Sequence, residues 1–128
     1  MKIAALIARY LLGLIFLIFG LNGFLHFIPN QPMPAGPAGQ FLSAMVDSHY
    51  LLPVCAVEVI GAILLLINRY VPLGLTLLAP VIFNILLFHI FMAPAGIAPG
   101  IVVTILWFLV ASRVRFAFAG ILQSRTTS

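Results

Sequence analysis

Charge is the scarcest property of this chain. Of 128 residues, six are lysine or arginine and two are aspartate or glutamate, 6% in all, against 64% hydrophobic. A water-soluble domain carries about 25% charged residues because its surface has to be solvated. So few charges cannot cover a soluble body of this size, whereas a hydrocarbon solvent removes the contradiction. Cysteine is nearly absent too. The single Cys55 excludes an internal disulfide and a C-x-x-C pair, and with them the four-helix thiol oxidases that work through paired cysteines. The net charge of +4 does not point to nucleic acid, because the basic residues are few and sit at the ends of apolar runs. Nucleic-acid binders gather theirs on one water-exposed face.

What the chain does have is long apolar runs. A spanning helix needs about 20 consecutive apolar residues, and the sequence supplies four such runs with little left over. The expected fold is all-α: an integral membrane four-helix transmembrane bundle, one domain over residues 1–128, with helices near 3–27, 50–67, 72–92 and 101–118. The apolar stretch from Ile3 to Ile28 exceeds a signal-peptide core of about 7–15 residues, so it reads as a retained helix. Pro29 stops it. Pro29, Pro32, Pro34 and Pro37, interleaved with Gly36 and Gly39, then exclude a continuing helix and favour turns. Phe41, Leu42, Met45 and Val46 recur at one-turn spacing within 40–46, the pattern of a short amphipathic helix at the interface. Pro72 suits the first turn of the third helix, where its missing N–H has no partner anyway. Pro80, inside that helix, deprives the Thr76 carbonyl of its donor and is predicted to bend the helix.

Charge also sets orientation. With four spans, Lys2, Arg9, Arg69, Arg113, Arg115 and Arg125 all fall on one side of the membrane or in the helix ends nearest it, and the opposite loops hold none. The positive-inside rule then places both termini in the cytoplasm.

Polar residues within the spans are the informative exceptions, since each costs free energy in lipid. They are Asn22 and His26 in the first helix, Glu58 in the second, Asn84 and His89 in the third, and Thr104 in the fourth. Counted at 1.5 Å per residue, Asn22, Glu58, Asn84 and Thr104 share a layer in the outer half of the bilayer. Glu58 is the only acid within a span, and no lysine or arginine lies at its depth. An unaccompanied carboxyl in hydrocarbon is expected to be carried as the neutral acid, hydrogen-bonded to Asn22, Asn84 or a buried water. Such a group both donates and accepts, which suits proton relay or recognition of a carbonyl oxygen. The competing reading is a polar pin that ties helices together. Cys55, Gly61 and Ala62 share the face of Glu58, and the thiol is expected to be inert there. His26, His49 and His89 lie toward the outer surface as interfacial anchors, with no pair clearly placed to hold a metal or haem. Trp107, Tyr10, Tyr50 and Tyr70 read as belt or packing aromatics.

The strings RYLLGLIFLIFGLNGFLHFIP, VEVIGAILLL followed by NRYVPLGLTLL, and PVIFNILLFHIF make the chain resemble the DoxX family of small bacterial membrane proteins. The specific part of that resemblance is Gly20, Asn22, Glu58, Gly61, Pro80, Asn84 and His89. Family patterns often carry Gly-Gly after the acid, where this chain has Gly61-Ala62. The resemblance implies a four-helix bundle in the bacterial inner membrane and a redox-associated accessory role. On that expectation Glu58 donates or accepts the proton, and Asn22, His26, Asn84, His89 and Thr104 surround a quinone-like or other lipophilic molecule. Metal ligands and haem are not expected. The expected partners are the lipid bilayer, subunits of a membrane redox complex and further copies of this chain. Two other readings stay open: proton-coupled movement of a small solute, and a structural or assembly partner of a membrane complex.

Overall fold

The computed structural model describes residues 2–29 and 31–125, and residues 1, 30 and 126–128 lie outside the described part. Among the described residues the chain is helical, without strands. Five α-helices follow in order: α1 (Lys2–Leu25), α2 (Pro37–Asp47), α3 (Leu51–Leu66), α4 (Val71–Phe91) and α5 (Ala98–Arg113). A short 3₁₀ turn (Pro94–Gly96) precedes α5, and a 3₁₀ segment (Arg115–Leu122) follows it. The starts obey the proline rule: α2 and α4 each carry a proline in the first turn, as does α5, where the ring's fixed φ is already helical and no N–H is missed. The turns use left-handed residues. His26, His49, Asn68 and Tyr70 have φ of 54°, 63°, 56° and 54°, a region in which His and Asn are tolerated better than most side chains.

The short helix expected over 40–46 is present and longer, as α2. The fourth helix differs from the expected 101–118. It starts at Ala98, because Pro99 fits a first turn, and stops at Arg113. Val114, at φ −121° and ψ 20°, breaks the helix, and Arg115–Leu122 leaves at 90° to α5. No proline or glycine marks the corner, which falls between Arg113 and Arg115, with apolar sequence on either side of them.

α1 packs on α3 and α5, and α4 packs on the same two helices, so the four close a ring. Adjacent members are antiparallel. Gly13 lies against Leu66 and Gly20 against Val59, while Gly61 faces Leu78 and Gly100 faces Leu86. Ala8, Leu12 and Phe16 of α1, Ala62 and Leu65 of α3, Leu75, Leu78 and Ile82 of α4, and Val103 and Val110 of α5 fill the centre. Small residues set the spacing. A Cβ on Gly74 would stand 3.1 Å from the Gly61 carbonyl oxygen, and one on Gly61 would stand 3.2 Å from the Gly74 oxygen. Such close backbone approach lets dispersion hold helices together where lipid supplies no hydrophobic drive.

The outside of the ring is as apolar as its inside: Ile3, Phe19, Phe83, Phe91 and Phe108 are all more than half exposed. α1 and α4 are each long and apolar enough to cross a membrane, and up to four spans result if each bent pair counts as one. α3 and α5 have 16 residues each, about 24 Å at 1.5 Å per residue, short of a hydrocarbon core of about 30 Å. Each is extended by a segment that turns almost perpendicular: α2 meets α3 at 83°, and the 3₁₀ segment meets α5 at 90°. At the end of the bundle away from Lys2, α2 reaches α4 through Phe41, whose ring centroid is 5.6 Å from that of Phe88.

Candidate functional site

Glu58 sits on α3 in its seam with α1, and it is buried, 9% exposed. The seam is close there because α1 offers glycine: a Cβ on Gly20 would meet Val59, the Cys55 carbonyl and the Cβ of Glu58 within 3.2 Å. The Cys55 thiol, one turn away on the same face, is buried as well. Lys2, Arg9 and Arg113 line a cavity that Glu58 does not reach, and the acid makes no ion pair among the described residues.

The other candidates keep the expected depth but not the expected direction. Contacts set Gly20 level with Glu58 and Gly61 level with Leu78, which leaves Asn22 and Asn84 within about one helical turn of the acid along the axis. Their hydrogen bonds go elsewhere. Asn22 Oδ1 accepts the backbone N–H of Ile28 at 2.7 Å and so caps the end of α1, while His26, in the left-handed conformation just past that end, donates its backbone N–H to the Asn22 carbonyl at 2.9 Å. This is a helix-terminating arrangement. Asn84 is exposed on the outside of the ring and donates its amide to the Pro80 carbonyl at 2.8 Å. His89 Nδ1 lies 2.8 Å from the Ile85 carbonyl, and Thr104 donates to the Gly100 carbonyl at 2.7 Å. Each of these three satisfies itself on the carbonyl four residues back, the local alternative open to short polar side chains in helices. The expected bonds from Glu58 to Asn22 or Asn84 are not made. Among the described residues no group of three His, Cys, Asp or Glu side chains converges.

Two side chains that the sequence reading passed over join helices. Arg9 of α1 is buried, 9% exposed, and its Nη1 donates to the Leu65 carbonyl at the C-terminal end of α3. The last carbonyls of a helix lack intrahelical donors and carry the negative end of its dipole, so the guanidinium caps α3 from across the seam. Trp107 of α5 donates its indole N–H to the Leu75 carbonyl of α4 at 2.9 Å, within the turn that Pro80 weakens. The carbonyl that Pro80 leaves without its helical donor is the next one, that of Thr76, so this bond ties α5 to α4 beside the proline break without filling it. Arg9 could have been found by counting residues, since it lies two turns inside α1 rather than at its tip. Nothing along the chain singles out the Trp107 bond.

Two cavities stand out. One, of about 450 Å³, opens at the end of the bundle where Lys2, Arg9, Asn68 and Arg113 meet. The other, of about 370 Å³, is an apolar groove between α4 and α5 lined by Ile82, Phe83, Leu86, Trp107 and Phe108, with Thr104 as its one hydroxyl. Glu58 lines neither.

The DoxX family model matches residues 4–91, from the first turn of α1 to the end of α4. No curated protein and no solved structure matched the chain.

Proposed function

The chain belongs to the DoxX family, and from that premise we propose that this membrane protein is a redox-associated accessory subunit of the bacterial inner membrane that receives a quinone-like, lipophilic molecule at Glu58. It crosses the bilayer four times, with both termini in the cytoplasm, and α2 lies along the outer interface. Glu58 hydrogen-bonds a carbonyl oxygen of the ligand and exchanges a proton with it, while electron transfer belongs to the partner subunits. Neither cavity is lined by Glu58 and α1 and α3 touch at Gly20, so ligand access from the lipid requires these two helices to part there. Asn84, exposed on the outside of the ring, offers a polar group to a neighbouring subunit.

The observation that carries this reading is Glu58 itself, the one acid in the spans, buried on the face of Cys55 and outside the cavity where Lys2, Arg9 and Arg113 gather. A structural pin would be expected to bond another helix. The interhelical side-chain bonds are instead made by Arg9 and Trp107, and Asn22, Asn84, His89 and Thr104 bond within their own stretch of chain. Solute transport needs a polar path from Glu58 to the basic end, and Leu12, Phe16, Leu65 and Leu75 fill that interior.

The test is native purification in mild detergent with mass spectrometry of co-purifying small molecules, for wild type, Glu58→Gln and Glu58→Ala. The amide keeps size, donor and acceptor but does not titrate. Glu58→Gln should fold at a cost on the order of 1 kcal/mol, that of one membrane hydrogen bond, and lose proton-coupled activity in cells. Glu58→Ala should lose the ligand as well. A fully active Glu58→Gln beside a merely unfolded Glu58→Ala would reduce Glu58 to a structural role.

A further inference from the structure

The basic end of the bundle holds more positive charge than the fold uses. Lys2 and Arg9 from α1 and Arg113 from the end of α5 line one open cavity of about 450 Å³ with Asn68 of the α3–α4 turn. The chain has two acids, Asp47 and Glu58, and neither lines it. Three cations around one partly desolvated space repel one another, more strongly than in water because the walls are of low dielectric. An anion seated among them relieves that repulsion.

Arg9 is the decisive member. It is buried, yet its one hydrogen bond among the described residues is Nη1 to the Leu65 carbonyl. No buried side-chain nitrogen or oxygen among the described residues lacks a partner, so the guanidinium nitrogens without a bond are accessible, and the open space that Arg9 lines is this cavity. A guanidinium held on one side by a helix end, and over the Tyr10 ring at 4.6 Å, presents a fixed planar fork of donors to the other. That is the geometry that suits a phosphate oxygen pair, and a compact lysine ammonium beside it adds charge without directional demand.

We propose that this cavity binds a phosphate group, presented by an anionic phospholipid of the adjoining leaflet or by free inorganic phosphate. Ile3 and Leu6, exposed and lining the same cavity, give the mouth an apolar rim that acyl chains can follow, which favours the lipid. Basic pockets between spanning helices on the cytoplasmic side take anionic headgroups by this chemistry. The site lies at the opposite end of the α1–α3 seam from Glu58 and does not depend on what the acid does.

The full chain in mild detergent is titrated with phosphatidylglycerol or with phosphatidylcholine, and retained lipid is counted by native mass spectrometry. In parallel, thermal stability is read in sodium phosphate against sodium chloride at equal ionic strength. The variants are Arg9→Gln, the double variant Lys2→Gln/Arg113→Gln, whose residues are exposed and not needed for packing, and Arg125→Gln as a control outside the cavity. Wild type should retain phosphatidylglycerol over phosphatidylcholine, and the preference should fall roughly fivefold for each charge removed, with Arg125→Gln unchanged. Stabilisation by phosphate, lost in the double variant, without a lipid preference supports the site with the free anion as its ligand. Equal retention of the two lipids with no phosphate effect overturns the proposal. So does a double variant that behaves as wild type in both arms. If Arg9→Gln fails to fold, the double variant carries the decision.

Discussion

Gly61 and Gly74 show how single residues decide this packing. They meet backbone to backbone where α3 crosses α4, each within 3.2 Å of the other's carbonyl as measured from the Cβ it lacks. A carbonyl in a helix cannot retreat without moving the helix. Gly74→Leu should therefore overpack the crossing and cost about 1–3 kcal/mol or more, read as a lower melting temperature in detergent. Gly120→Leu, where nothing lies within 4 Å, should leave that temperature unchanged, and equal effects at both positions would show that the crossing is looser than described. The polar residues teach a complementary lesson. Glu58 stood out as a lone acid among apolar neighbours, and the structure buries it. Asn84, Thr104 and His89 stood out for the same reason, yet each bonds its own helix. Residue type and depth are visible in a sequence. The direction in which a side chain spends its hydrogen bond is not, because a carbonyl four residues back is always within reach of a short polar side chain in a helix.

At the scale of elements, the two short helices of the ring go with the two corners. α3 and α5 are both extended by segments set almost at right angles to them. The segment after α5 carries Arg115 and strongly exposed Phe116, Ile121 and Leu122, with Phe118 against Trp107 at 6.4 Å between centroids. A basic residue with apolar neighbours on a segment perpendicular to a span is suited to the membrane interface, with its apolar side about 5–10 Å below the headgroups. A fluorophore attached at Phe116→Cys, in a Cys55→Ser background, should be quenched by lipids labelled near the headgroup and much less by lipids labelled at mid-bilayer. Strong mid-bilayer quenching would instead mean that the fourth span continues straight beyond Arg113. The helix starts were legible because proline has a fixed φ and no N–H. The stop at Arg113 was not, because apolar composition is the same on both sides of the corner.

For the whole molecule, the ring has one basic end. Lys2, Arg9 and Arg113, far apart in the chain, line the same cavity beside the α3–α4 turn that carries Arg69. Charge segregation of this kind is what fixes orientation during insertion. Reporters inserted at Arg69 and fused after Ser128, which lies outside the described residues, should both report cytoplasm. A reporter near Pro34 should report the outside. A cytoplasmic signal at Pro34 would remove the four-span arrangement and with it the placement of α2 on the outer interface.

By itself the sequence determined that this is a helical membrane protein of the DoxX family. Scarce charge, four apolar runs and basic residues confined to the run ends leave few other solutions, since in lipid a backbone must satisfy itself within helices. It also determined which acid to examine, because a single carboxyl in an apolar run is costly wherever the helices go. Only the tertiary structure decided that Gly20 of α1 packs against that acid and that Asn22 and Asn84 spend their hydrogen bonds elsewhere. Only the tertiary structure turned Arg9 from an end-of-helix charge into a buried cap on α3 that lines a cavity with Lys2 and Arg113. The physical reason is that depth along a membrane helix follows from counting residues, whereas the partner of a side chain depends on how four helices rotate about their axes. That rotation is set by where glycines let backbones touch.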